Sequence, residues 1–325
     1  MSSAVGWDAG GMPASCSLPT LLHTAVFSTR TARDHGVMPA RLRASDIDHP
    51  FHGVNATAPL DDVRALCEAY VARGIPDQWF SHLTAAALYG IPLPPSARAK
   101  ALHVVVAYPR TPPRTRQVIG HSVRDLQAEI IDGMPVCGPA QVWCQLSTIL
   151  DRDELVVAGD FLVGARSRAA LSSVEELSAA SMALRGRAGA PKRAWALPRI
   201  RFGADSRPES LLRLLLQKRG YTNVLVNQPV EVGNDRLVLH PDLMLPDQRV
   251  LLEYEGDGHR TGRRQWQSDI ARVDLLESAG WRVVRVTSAD LFENPTVLLD
   301  RVASAARRIV RFGDPAGACG ALPHD

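Results

Sequence analysis

Apolar and polar positions along the chain follow helical and strand periods that change from block to block. From Ser17 to about Val54 the pattern is helical with short loops. Residues 27–37 (FSTRTARDHGV) predict a helix ending at Gly36, and residues 38–46 (MPARLRASD) a second helix just after it. A helix, a tight glycine turn and a second helix make the helix-turn-helix pattern, and an ordinary helical hairpin fits it equally well. Ala32 and Gly36 are small residues one turn apart, where two helices can meet closely. Residues 46–54 (DIDHPFHGV) could then fold back as a wing.

From Asp61 to about Gly164 helices and strands mix. Residues 61–74 read as an amphipathic helix with an acidic start and a glycine stop. Residues 81–94 read as a capped helix stopped by Gly90 and the prolines. The β-branched run at 101–108 (ALHVVVAY) predicts a buried strand. Residues 109–123 read as an exposed basic loop entering another strand, and 135–150 and 151–164 as further helices. Residues 165–184 begin as a helix. The composition then shifts to small and basic residues, so 185–206 are expected to be the main joint, with room for a short helix. The last block alternates clearly: helix 208–220, strands in 221–232 and 235–246 joined by Gly233-Asn234-Asp235, strand 248–256, helix 263–280, strand 281–291 and a closing amphipathic helix 295–313. Glycines and hairpin residues fall at the expected ends. The order α-β-β-β-α-β-α predicts a mixed sheet flanked by helices, within an α/β protein whose N-terminal half is α+β.

Bulk numbers narrow this little. With 325 residues, 46% apolar and 22% charged, the chain suits two or three globular domains. A net charge of +3 is compatible with a polyanionic partner and does not require one. Five cysteines without a C-x-x-C pair argue against a structural zinc site or a disulfide framework. Residues 1–16 read as a flexible start rather than a signal peptide, and 314–325 as a flexible tail. No apolar run is long enough to span a bilayer, so the expectation is a cytoplasmic protein with no membrane partner.

The chemistry gathers in the last block. Asp242 and Glu253 lie on neighbouring strands joined by a tight turn at Pro246–Gln248, so their side chains can sit side by side. Strand alternation puts Glu255 on the face of Glu253, with Tyr254 opposite. Clustered acids are costly unless a cation compensates them, and a hard divalent ion, Mg2+ or Mn2+, suits carboxylate oxygens. Glu209, on the preceding helix, could add a fourth carboxylate. Its place in a first helical turn also fits simple capping.

Pro241-Asp242 followed by Glu253-x-Glu255 resembles the PD-(D/E)XK nuclease signature. The longer string, with Glu209, His259, Asp269-x-x-Arg272, Gly280-Trp281 and Val284-Arg285-Val286, is similar to the DUF559 family, grouped with the Vsr-like endonucleases of the restriction-endonuclease-like fold. The resemblance covers about residues 207–313 and implies a metal-dependent endonuclease cleaving phosphodiester bonds in DNA, with RNA left open. On that reading Glu209, Asp242, Glu253 and Glu255 hold the ion, helped by the Tyr254 carbonyl. Its charge acidifies a water and stabilises the phosphate. The motif lysine is replaced by Glu255, so His259 is the available proton-transfer group. Arg272, Arg260, Arg263 and Arg264 would contact phosphates, although a basic cluster is more often a solvated helix start. Asp269 would fix Arg272 or His259. Trp266 and Trp281 read as core residues rather than stacking platforms.

The front half is similar to AbiEi-type antitoxins, with a winged helix-turn-helix over 17–56 and a mixed region over 57–184. That resemblance implies DNA binding, with Arg41 and Arg43 near the major groove. The alternative for the whole chain is a DNA-binding regulator or antitoxin-like protein whose nuclease fold is inactive. No small-molecule cofactor is expected, and a homodimer is compatible with either reading.

Overall fold

Residues 17–22, 26–97, 101–233, 236–256 and 263–310 are described by the computed structural model, with backbone alone for 263–270 and 308–310. The architecture is α/β, with helices combined with mixed sheets. The chain divides into two units, Met1–Gly90 with Arg98–Gly138, and Ile91–Ala97 with Pro139–Asp325. The division thus falls at Gly138, not in the 185–206 joint expected from composition.

The N-terminal unit begins with β1 (Val26–Ser28), α1 (Thr29–Asp34), α2 (Pro39–Leu42), β2 (Val54–Ala56) and α3 (Val63–Val71). The Ser28 hydroxyl accepts the Thr31 N–H at 2.9 Å and so starts α1. Gly36, at φ 75°, supplies the left-handed turn that ends it. Pro39 opens α2, which is shorter than the helix expected over 38–46 and stops before Arg43. After α2 the chain returns as β2, antiparallel to β1 with Val26 opposite Ala56. Leu22, Phe27, Ala32, Val37, Leu42 and Ile47 form the small core beneath.

The same unit holds a five-stranded sheet made of β3 (Trp79–Phe80), β4 (Leu102–Ala107), β5 (Val118–Val123), β6 (Ala128–Ile131) and β7 (Met134–Cys137), in the order β5-β4-β3-β7-β6. Helix α4 (His82–Tyr89) follows β3 and ends on Gly90 in the left-handed conformation. Strands β4 and β5 are parallel, and β3 is antiparallel to β4. β3 and β6 went unread in the sequence. One is two residues long and the other is largely exposed, so neither carries a buried period.

The second unit opens with α5 (Pro139–Leu146), α6 (Arg152–Val163), α7 (Val174–Ala183) and α8 (Ala190–Ala196). Residues 185–206 are therefore packed structure: Arg193, Ala196 and Ile200 are buried. Next come α9 (Arg207–Lys218), β8 (Leu225–Val226), β9 (Val230–Val232), β10 (Leu237–Leu239), β11 (Leu243–Leu245), β12 (Val250–Glu255), α10 (Arg263–Ser278), β13 (Arg282–Thr287), α11 (Ser288–Phe292) and α12 (Pro295–Val310). Four strands form a mixed sheet, β13-β12-β11-β8, parallel only between β12 and β13, while β9 and β10 pair as the expected hairpin.

One sheet face, with Leu243, Leu245, Val250, Leu252, Val284 and Val286, packs on Leu212 and Leu216 of α9 and Leu298 and Val302 of α12. The other, with Met244 and Leu251, packs on Leu276 of α10 and Val230 and Val232 of the hairpin. Being covered on both faces explains the continuous apolar run that begins β12. Asp160 of α6 binds α9 to the preceding helices. Its carboxylate accepts from Arg213 Nη2 and Ser210 Oγ, both at 2.6 Å, and from the Arg201 N–H at 2.7 Å. No helix among the described residues is long and apolar enough to cross a membrane.

Candidate functional site

Strand register sets Asp242 opposite Glu253. β11 and β12 pair Leu243 with Leu252 and Leu245 with Val250, so one step beyond Leu243 the facing positions are 242 and 253. Alternation puts Asp242, Glu253 and Glu255 on the face of Met244 and Leu251, beneath α10. Glu209 reaches the same region from the first turn of α9. The capping function read for it is real: its Oε1 accepts from Ser206 Oγ at 2.8 Å and its Oε2 from the Asp205 N–H at 3.0 Å. Capping alone does not account for its burial, with 6% of its surface exposed.

Asn227 joins the two halves. Its side-chain amide donates to Glu209 Oε2 at 3.1 Å, and its backbone N–H donates to the Asp242 carbonyl at 3.0 Å. Its φ of 49° lies in the left-handed region, which asparagine tolerates better than most residues. The Tyr254 N–H donates to Asp242 Oδ2 at 2.6 Å.

Electrostatics marks the same pair. Burial, followed by the negative charge of Asp242, pushes the Glu209 carboxyl up to about 7 despite its hydrogen bonds. Burial likewise raises Asp242 to about 6. The Tyr254 N–H opposes that rise, and the Glu253 charge adds to it. Such a donor set, desolvated and of like charge, fits a hard divalent cation. Glu209, Asp242 and Glu253 are the residues that would hold it.

The expected cage of four carboxylates is nevertheless not drawn tight. Among the described residues no three carboxylates bring ligand atoms within 4.8 Å of one another. Each carboxylate has a donor of its own. Glu253 Oε1 accepts from Arg272 Nε at 3.1 Å, and Glu255 pairs with Arg285 at 3.0 Å across the parallel strands. Arg272, expected at a phosphate, therefore serves Glu253 and also donates to the His240 carbonyl at 2.9 Å. In the N-terminal unit Arg41 forms a two-pronged ion pair with Asp46, at 2.8 and 2.7 Å, so its guanidinium is engaged within the motif rather than held out for DNA. Arg43 is exposed.

His259 and Arg260 lie outside the described residues, as do the side chains of Arg263, Arg264, Trp266 and Asp269. Trp281 packs beside the Met244–Leu251 cluster with Arg249 stacked 4.9 Å above its ring, in keeping with a core role.

Sequence reasoning missed Asn227, and it named Arg285 only within Val284-Arg285-Val286, without its partner Glu255. Only the pairing of strands reveals these contacts. It also missed His82, His103 and His121, the group that does bring potential ligand atoms within 4.8 Å of one another.

No family model matches the chain. The uncharacterized proteins MT2308 of Mycobacterium tuberculosis strain CDC 1551 and Rv2248 of strain H37Rv are each 26% identical to it over 220 residues, covering 68% of this chain and 78% of theirs. The crystal structure of the RV2827C protein from Mycobacterium tuberculosis is similar at a TM-score of 0.38 and 17% identity, over 66% of this chain and 86% of that one.

Proposed function

We propose that this chain is a divalent-cation-dependent endonuclease acting on DNA, with the N-terminal helix-turn-helix contributing to binding. The observation that carries the reading is the buried Glu209 and the half-buried Asp242, joined by Asn227 beside Glu253, with both carboxyls raised by desolvation and like charge. A bound Mg2+ or Mn2+ would supply positive charge to the phosphate and make water acidic enough to attack. Asp242, Glu253 and Glu209 would hold the ion. Asn227 and the Tyr254 N–H fix the Glu209 and Asp242 carboxyls, and Arg272 orients Glu253. Glu255 stands in the motif lysine's place and cannot supply its charge, so proton transfer is assigned to His259. Arg260, Arg263 and Arg264 are the phosphate contacts.

A DNA-binding regulator with an inactive nuclease fold is the second reading. It is favoured by the arginines that already neutralise Glu253 and Glu255. Incubation of supercoiled plasmid and single-stranded DNA with Mg2+ or Mn2+, wild type beside Asp242→Ala, decides between them. Cleavage that disappears in the variant and with chelator supports the nuclease. Equal inertness of both proteins, with both still shifting DNA in a gel, overturns it in favour of the regulator.

A further inference from the structure

We propose that His82, His103 and His121 form a second metal site, one that takes an imidazole-preferring transition ion of the Zn2+ class and lies entirely within the N-terminal unit. The residues come from three elements. His103 and His121 stand on the parallel strands β4 and β5, and His82 is the first residue of α4, which packs on β4. Strand register sets Val105 opposite His121 and His103 opposite Ile119, so alternation turns both histidines to one sheet face. One ring nitrogen of each residue lies within 4.8 Å of the other two, and His103 Nδ1 is 3.0 Å from His121 Nε2.

Three features set this group apart from incidental packing. The first is the placement of His103 inside the apolar run Leu102–Ala107, flanked by Leu102 and Val104, where strand burial calls for aliphatics. A polar residue that breaks a local pattern at a buried position is characteristic of a functional site. The second is His82, whose φ of 48° is a left-handed conformation that bulky residues rarely adopt. The third is orientation. The three ring centroids lie 3.9 to 5.3 Å apart, and the Ser81 hydroxyl sits 3.1 Å from His82 Nδ1. A hydrogen-bonded partner on one ring nitrogen is the usual way a ligating imidazole is oriented.

The rings stand nearly parallel, at 7° to 27° to one another. Convergence on one ion requires rotation about χ2, a soft torsion for histidine. Three imidazoles with a water as fourth ligand complete a tetrahedral site. Imidazole selects Zn2+, Cu2+ or Ni2+ over Mg2+, whereas the carboxylate oxygens of the second unit suit Mg2+ or Mn2+. The two units would then bind different ions. Counting cysteines could not reveal such a site, because no cysteine takes part.

The test uses the full chain stripped by chelator and titrated with Co2+, read by visible absorption, then challenged with Zn2+. Wild type is compared with His103→Gln, His121→Gln and Asp242→Asn. The expected result is one equivalent of Co2+ with the intense bands of four-coordination, displaced by Zn2+, and retained in Asp242→Asn. Either histidine substitution weakens binding by at least about tenfold, the least that loss of even an outer partner costs. His121 is only half-buried, so His121→Gln keeps the test valid if His103→Gln fails to fold. A folded wild type that gives no four-coordinate bands overturns the proposal. So does binding that survives both histidine variants or disappears in Asp242→Asn. None of these readouts depends on nuclease activity.

Discussion

Asn227 holds Glu209 by a side-chain amide 3.1 Å from Oε2, and the same residue's backbone supports Asp242. Neutral donors thus serve both carboxyls, the Asn227 amide on Glu209 and the Tyr254 N–H on Asp242. Asn227→Ala removes the amide donor and leaves alanine, which tolerates the left-handed region less well than asparagine, at φ 49°. The expected loss is about 1–3 kcal/mol, from one hydrogen bond taken from a buried carboxyl and local strain. Urea unfolding of the variant measures it, and a loss of a few tenths of a kcal/mol or less would show that Glu209 is held by its capping contacts alone.

The pH response of the second unit follows from Glu209 and Asp242. Their folded values, about 7 and about 6, lie above their ordinary values of 4.5 and 3.8. The folded chain therefore binds protons that the unfolded chain has released, and stability falls as pH rises through the window from about 4 to about 7. At about 1.4 kcal/mol per unit the effect reaches a few kcal/mol in metal-free protein. The double variant Glu209→Gln, Asp242→Asn is expected to lose most of this slope in melting temperature. Adding Mn2+ above pH 7 is expected to raise the melting temperature of wild type and leave the double variant unmoved.

The N-terminal unit has the opposite slope. Burial, reinforced by the neighbouring rings, pushes His82 down to about 3 and His103 down to about 4. Depressed histidine values give stability that is complete above about 6.5 and is lost as pH falls through that value toward 4. Hydrogen-exchange protection of β4 and β5 amides, corrected for the intrinsic rate, is expected to drop between about pH 7 and about pH 5. Constant protection across that range would show that the histidines stay solvated enough to charge freely.

The buried pair Asp160 and Arg213 predicts an asymmetric result. Their side chains are 1% and 0% exposed. Asp160→Ala strands a guanidinium in the interior and is expected to cost about 3–5 kcal/mol. A joint replacement by Asp160→Leu and Arg213→Met removes both charges and is expected to cost much less. Thermal or denaturant unfolding of wild type and the two variants tests this, and a joint loss as large as that of Asp160→Ala would mean that the stranded charge is not what costs stability.

The second unit was the legible part of the sequence. Glycine stops at Gly220 and Gly280, the hairpin at Gly233 and the alternation around Glu253 each reported a local rule, and the structure obeys each one. Asp242 and Glu253 could be placed side by side because a short turn links their strands. What failed was long-range. The 185–206 stretch looks like a linker because its residues are small and basic, yet Arg193 is buried there, donating to the Ser147 hydroxyl and the Leu184 carbonyl. The arginines expected at DNA were placed by resemblance, and the structure adds what that placement did not include, a carboxylate partner each for Arg41 and Arg272. The histidines were invisible for the same reason, coming from separate elements with no common motif.

Asp160 and Arg213 lie 53 residues apart in the chain. On a ribosome adding about 5–20 residues per second, α6 emerges several seconds before its partner helix. Throughout that interval a carboxylate destined for the interior has no arginine to meet it. The helices from α5 to α8 are thus a dependent layer that awaits α9. A shortened chain ending near residue 205 would expose that layer to chaperones and proteases, so any expressed fragment that carries α5 to α8 should run through α12.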